Sequence, residues 1–150
     1  MLDKPPAGCG VLLVVEDDPA IAEMYTYALN RAGYDVVVAG SAAAALEVVA
    51  ERVPDLVLMD IGLPGPSGLQ MLRELRKAPA TAELPVVMLT NYGDPRFLEE
   101  SAQLGAIDYL IKSRTSPSML AERVRAWFSG LAERDPSPRR YGNSRPCPDS

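Results

Sequence analysis

Five short apolar runs, each closed by polar or turn-forming residues, alternate along this chain with segments of helical periodicity. The runs are Val11–Val15, Asp35–Ala39, Leu56–Met59, Pro85–Leu89 and Ala106–Ile111. Four to six residues rich in Val, Leu and Ile, with no polar alternation, read as strands buried on both faces. Asp18-Pro19 opens the first helix, the Asp as cap and the Pro at the first helical position. Ile21, Tyr25, Ala28, Leu29 and Ala32 give that helix one apolar face, and Gly33 stops it. Ser41 caps a second helix of 42 to about 52, with Ala45, Leu46 and Val49 inward. A third starts near Ser67 on a Leu69, Leu72, Leu75 stripe. Asp94-Pro95 repeats the cap signal before a helix through Phe97, Leu98, Ala102 and Leu104, which Gly105 stops. Ser116-Pro117 begins the last, with Leu120, Val124, Trp127/Phe128 and Leu131 inward.

Strand and helix alternating five times with short links imply a parallel sheet, helices on both faces and right-handed crossovers. A length of 150 residues suits one domain. The expected class is α/β, a flavodoxin-like doubly wound sheet of five parallel strands in the order 2-1-3-4-5 with five surrounding helices. Residues 1–10 read as a flexible lead-in and 11–133 as the folded unit. Residues 134–150, with four Pro and four Arg and few apolar side chains, read as a disordered tail.

Composition excludes several kinds of chemistry. The chain has no histidine, which removes His-based acid–base catalysis, a Ser-His-Asp triad, most zinc sites and phosphohistidine. Cys9 and Cys147 lack metal-ligand spacing, and a reducing cytoplasm fits them. The apolar runs are too short to span a membrane, and the first ten residues do not look like a signal peptide. Residues 1–133 carry 11 Lys/Arg and 18 Asp/Glu, a net charge of −7, whereas residues 134–150 carry four Arg and two Asp, a net +2. An acidic body argues against direct contact with nucleic acid, which needs a basic footprint.

The residues at the carboxyl ends of the strands carry the chemistry. The first strand runs into Glu16 and Asp17, the third into Asp60, the fourth into Thr90 and the fifth into Lys112. In a parallel sheet these ends share one rim, where open α/β sheets bind ligands. Taken singly, each has a plainer reading: Asp60 as the start of a turn, Glu16-Asp17 as a solvated turn, Thr90 as a turn residue, Lys112 as a surface lysine. Their joint placement at successive strand ends outweighs those readings. Two carboxylates about 5 Å apart repel by roughly 3 kcal/mol at an effective dielectric of about 20, which a hard divalent cation relieves. Mg²⁺ takes carboxylates, water and phosphate oxygens, and the backbone carbonyl of Gly62 can add a ligand. A Lys facing the acids can hold a phosphate oxygen, and Thr90 can donate to another. This is a kit for phosphoryl transfer to a carboxylate nucleophile, Asp60.

On the segments Val11-Leu12-Leu13-Val14-Val15-Glu16-Asp17-Asp18, Leu58-Met59-Asp60-Ile61-Gly62-Leu63-Pro64-Gly65, Leu89-Thr90-Asn91 and Asp108-Tyr109-Leu110-Ile111-Lys112, the chain resembles a response-regulator receiver domain of bacterial two-component signalling. The likeness covers roughly Val11 to Leu131. It implies that Asp60 takes a phosphoryl group from a phosphohistidine on a sensor histidine kinase or histidine phosphotransfer protein. It implies Mg²⁺ on Asp17, Asp60 and the Gly62 carbonyl, with Glu16 acting mainly through water. Lys112 would grip the phosphoryl group, Thr90 would move to bond it, and Tyr109 would turn inward as an aromatic switch. Enzymatic turnover beyond phosphorylation and autodephosphorylation at Asp60 is not expected. No output domain follows Leu131, so the expected output is contact with a downstream protein partner, unless the tail is a linker from a longer protein.

One departure concerns the loop after the lysine. Family members usually place proline there, often after a cis peptide, whereas Ser113 follows Lys112 here. A cis bond before a non-proline residue costs about 2.5–4 kcal/mol, so either a trans bond with a reshaped loop or a strained cis bond is expected. Two rival functions remain. A Mg²⁺-dependent phosphatase or phosphotransferase on a small substrate often has a second acid two residues after the nucleophile, where this chain has Gly62. A phosphorylation-independent docking module would not need Asp60, Asp17, Thr90 and Lys112 together.

Overall fold

The computed structural model describes residues 10–63, 65, 67–91 and 95–134. The expected lead-in and tail, both cysteines and the Asp94 cap lie largely or wholly outside these. The elements are β1 (Val11–Val15), α1 (Pro19–Arg31), β2 (Asp35–Ala39), α2 (Ala42–Glu51), β3 (Leu56–Asp60), α3 (Gly68–Lys77), β4 (Val86–Thr90), α4 (Pro95–Gln103), β5 (Asp108–Ile111) and α5 (Pro117–Arg134). All neighbouring strands pair in parallel, in the order β2-β1-β3-β4-β5. This is the doubly wound arrangement that five strand–helix repeats imply.

Strand alternation divides the core in two. Leu13, Val15, Val57, Met59, Val86 and Met88 point to the side covered by α2 and α3, where Ala45, Val49, Leu72 and Leu75 close over them. Leu12, Val14, Leu58, Val87, Leu89 and Leu110 point the other way, under Tyr25 and Leu29 of α1 and Leu120, Val124 and Phe128 of α5. β1, β3 and β4 are therefore buried along their whole length, whereas Val37 and Val38 on the edge strand β2 are exposed.

The helix ends follow the sequence signals. Asp18 Oδ1 accepts from the Ala20 amide at 2.9 Å, and Ser41 Oγ from the Ala44 amide at 3.1 Å. Ser116 Oγ accepts from the Met119 amide at 3.2 Å, and Gly33 ends α1 at a φ of 107°. At Ser67 the cap is reciprocal: its Oγ accepts from the Gln70 amide while Gln70 Oε1 accepts from the Ser67 amide. That is a capping box, legible as Ser-x-x-Gln but not expected.

Two expectations are corrected. Leu46 is exposed, because Ala42, Ala45 and Val49 already form the stripe of α2 that faces the sheet. On α4, Phe97 and Ala102 are exposed and Ser101 is buried. α3 reaches α4 at Glu100 and Leu104, past Phe97. β5 starts at Asp108, not Ala106, because the Ala106 amide still bonds back to the Ser101 carbonyl at 2.9 Å. Among the described residues no helix is long and apolar enough to cross a membrane.

Gly68, at the start of α3, is where the fold and the rim meet. A Cβ there would overlap the Asp60 carbonyl oxygen and crowd Ile61 Cα, both parts of the backbone. Gly68→Ala is therefore expected to destabilise the fold by about 2–3 kcal/mol through overpacking. Gly130→Ala, on α5 with nothing within 4 Å of the new Cβ, should stabilise it by about 0.5–1 kcal/mol through helix propensity. Urea unfolding of both variants checks the opposite signs.

Candidate functional site

Because all five strands run the same way, Glu16, Asp60, Thr90 and Lys112 come to one rim of the sheet. Glu16 is 2% exposed, Asp60 4% and Thr90 5%, so polar groups close the end of an apolar core. The Lys112 ammonium joins the first two. Its Nζ donates to Glu16 Oε1 at 2.8 Å and to Asp60 Oδ2 at 3.0 Å, with its side chain 8% exposed. The remaining carboxylate oxygens are held by backbone. The Gly62 amide donates to Asp60 Oδ1 at 2.9 Å, and the Asp18 amide donates to Glu16 Oε2 at 3.2 Å. Short turns after β1 and β3 thus aim their own amides back at the acids.

Asp17 is exposed, yet one of its oxygens lies within 4.8 Å of oxygens from Glu16 and Asp60. Three carboxylates against one ammonium leave this pocket electronegative. Hard oxygen donors at such separations fit a hard divalent cation, which would be held by Glu16, Asp17 and Asp60. Burial pushes the Glu16 carboxyl up from the usual carboxylate range, and its bonds to Lys112 and the Asp18 amide only partly offset this. Burial alone would pull the Lys112 ammonium down, but its bonds to Glu16 and Asp60 outweigh it and raise its pKa.

The sequence-predicted residues do not all take the same part. Glu16, Asp17, Asp60 and Lys112 are brought together, with Glu16 bonded directly to the lysine. Thr90 is buried where β4 ends, next to β3 in the sheet. Gly62 contributes its amide to Asp60, and a Cβ at this position would stand 3.7 Å from Asp60 Oδ1. Tyr109 is 43% exposed, with its ring outward on β5. Tyr25, expected only as a core residue of α1, lies within electrostatic reach of Lys112, Glu16 and Asp60, and burial raises its phenol pKa. Its position on the inward face of the helix that follows the acids was the available signal.

After Lys112 the chain takes the trans course. No peptide among the described residues is cis, and Lys112–Arg114 form a 3₁₀ turn. Thr115 Oγ1 closes that turn on the Ile111 carbonyl at 2.9 Å. Of the two courses expected at Ser113, the trans peptide is the one present, and Ser113 sits inside the 3₁₀ turn.

Lys112→Met removes the cation shared by two buried carboxylates and should cost about 3–5 kcal/mol of stability in metal-free buffer. Without it, the Glu16 carboxyl, which burial already raises, loses the bond that partly offsets that burial and lies further above its unfolded value. The folded state then binds more protons in that window, so stability falls as pH rises through it and returns as pH falls. Urea unfolding should show a smaller cost at pH 5 than at pH 7.5.

Residues 12–125 match the family model described as response regulator receiver domain. The DNA-binding response regulator MtrA of Mycolicibacterium smegmatis is 44% identical over 115 residues, which are 77% of this chain and 49% of that protein. The phosphate regulon transcriptional regulatory protein PhoB of Pseudomonas aeruginosa is 37% identical over 115 residues, 77% of this chain and 50% of that one. Among solved structures, a putative response regulator from Chloroflexus aurantiacus superposes with a TM-score of 0.74 at 37% identity, covering 80% of this chain and 98% of that one. A CheY-like receiver domain protein from Methanospirillum hungatei gives a TM-score of 0.76 at 27% identity, covering 83% and 97%.

These relatives correct one expectation. An acidic body argues against direct contact with nucleic acid, yet MtrA is named as DNA-binding. The charge of one domain carries no information about other segments of a protein, and the chain spans about half the length of the curated relatives it matches. For the same reason, an output limited to protein contacts does not follow from where the residues in hand stop. By fold, by rim and by sequence, this chain belongs to the response regulator receiver domain family of two-component signalling.

Proposed function

We propose that residues 11–133 form a phosphorylation switch in which Asp60 is the acceptor. The observation that carries this reading is the single ammonium of Lys112 held between buried Glu16 and Asp60, with Asp17 beside them at the open rim. Asp60 lies at the centre of this group, on the middle strand of the sheet, between the acids of β1 and Thr90 of β4. An oxygen of its carboxylate attacks phosphorus while the bond from phosphorus to a donor nitrogen breaks, and the imidazole leaves with its electron pair. The donor in this reading is a phosphohistidine on a sensor histidine kinase or histidine phosphotransfer protein, and it lies outside these 150 residues, which contain no histidine.

Lys112 exchanges its bond to Asp60 Oδ2 for one to a phosphoryl oxygen, and the Thr90 hydroxyl donates to another. The Gly62 amide stays on Asp60 Oδ1 and orients the carboxylate. Glu16, Asp17, Asp60 and the Gly62 carbonyl would hold Mg²⁺, which would supply positive charge against the phosphoryl oxygens. Drawing Thr90 toward the phosphoryl group frees space behind it, which the exposed Tyr109 ring fills. The result is a population shift between two packings of one domain, read out through altered contacts with other proteins. Because phosphohistidine donors are formed from ATP, we assign the domain to the cytoplasm.

Intact mass after incubation with Mg²⁺ and a small acyl phosphate tests the reading. One added phosphoryl group is expected, absent in Asp60→Asn and absent in chelator. A well-folded protein with no adduct contradicts it, and steady turnover of free phosphoester would point to a phosphatase instead.

A further inference from the structure

The two edges of the sheet are finished differently. β5 lies at one edge and β2 at the other. At the β5 edge, Asp108 is ion-paired with Arg123 and accepts from Trp127 Nε1 at 3.0 Å, so a charged pair and an indole from α5 stand at the strand. Charge and cover of this kind keep an edge from pairing with another chain. β2 carries no such guard. Its sequence is Asp35-Val36-Val37-Val38-Ala39, with no lysine, no proline and three β-branched residues in a row. Val37 is 40% and Val38 43% exposed, and among the described residues no strand lies beyond them.

The pairing with β1 decides which backbone groups of β2 face out. The Asp35 amide donates to the Gly10 carbonyl and the Glu16 amide to the Ala39 carbonyl, each at 3.0 Å. In a parallel pair, alternate residues of a strand turn both N–H and C=O to the same neighbour. Asp35, Val37 and Ala39 therefore face β1, and Val36 and Val38 turn their backbone groups outward. Side chains alternate between the two faces of the sheet. Val36 packs on the core under α1, so Val38 shares that face, and Val37 points to the face of α2, where Leu46 is also exposed.

We infer that β2 is a self-association edge, pairing antiparallel with β2 of a second copy about a two-fold axis at Val37. In that register Val36 of each copy lies opposite Val38 of the other, so outward N–H and C=O groups meet outward groups at both places. Val37 meets Val37 of the second copy, apolar against apolar. Asp35 comes opposite Ala39, so no carboxylate faces another across the seam. A two-fold contact uses the same patch on both copies, and this strand matches itself in backbone direction, side chain and charge. That self-matching is what makes a second copy the occupant. One five-residue strand from each copy falls short of the roughly 800 Å² per partner of a stable interface, so the pairing needs concentrated protein. The inference does not rest on Asp60 being a phosphoryl acceptor.

Amide hydrogen exchange of the full chain at two concentrations tests it. The Val36 and Val38 amides should exchange about threefold more slowly at about 1 mM than at about 20 µM, while those of Val37 and Ala39, bonded to β1, stay protected at both. Sedimentation velocity should show a dimer growing over the same range. Val38→Pro removes an outward donor without taking a bond from β1, and should leave a monomer. Val37→Lys and Val37→Glu each bring like charges together at the axis, so neither should dimerise alone, whereas their equal mixture should. A monomer at every concentration overturns the inference. A dimer in which Val36 and Val38 exchange at their dilute rate overturns it in favour of another face. A mixture of the two charge variants that stays monomeric overturns the pairing about Val37. Val36 and Val38 amides already protected in dilute protein overturn it too, and point to a segment of the same chain lying along β2.

Discussion

One ammonium shared by two buried carboxylates organises the functional end of this domain. Lys112 follows β5, Glu16 follows β1 and Asp60 ends β3, so the bridge closes the rim across three strands. Without it two carboxylates at 2–4% exposure would face no cation, and an unpaired buried charge costs several kcal/mol. The bridge compensates only part of the negative charge. Asp17 adds a third carboxylate at the open side, and what remains is an electronegative pocket with one positive group already inside. Such a pocket suits a ligand that brings both signs, a divalent cation together with an anionic phosphoryl group.

The rest of the fold serves to hold those end groups still. β1, β3 and β4 are packed on both faces, which fixes where their last residues lie. Gly68 lets α3 start directly against the Asp60 carbonyl, and the turn after β3 returns the Gly62 amide to the Asp60 side chain. Strength of packing falls off away from this centre. β2 exposes Val37 and Val38, and the first half of α4 exposes Phe97, so the parts best able to change shape lie at the margins.

Much of this was legible in the sequence because it depends on local signals that tertiary context does not override. Apolar runs marked the strands, Asp18, Ser41 and Ser116 marked helix starts, and strand-end polar residues marked the rim. What escaped depends on how elements meet. Periodicity placed Leu46 inward, but whether a helical position is covered depends on how far the neighbouring elements extend. Arg76 looked like any arginine on an amphipathic helix, since its partners are carbonyls nearly 30 residues away. Nothing local distinguished Gly68 from the other glycines of its loop. The charge argument about nucleic acid failed for a different reason: it treated the balance of one domain as a property of a whole regulator.

The central claim is electrostatic, that this pocket is built for positive charge and that Lys112 already occupies part of it. Mg²⁺ titration of the folded domain and of Lys112→Gln tests it most directly. Removing a charge next to the cation site while keeping a hydrogen-bond donor should tighten Mg²⁺ binding about tenfold, and Asp17→Asn should weaken it by a similar factor. Unchanged or weaker binding in Lys112→Gln, or Mg²⁺ affinity indifferent to Asp17, would contradict the account.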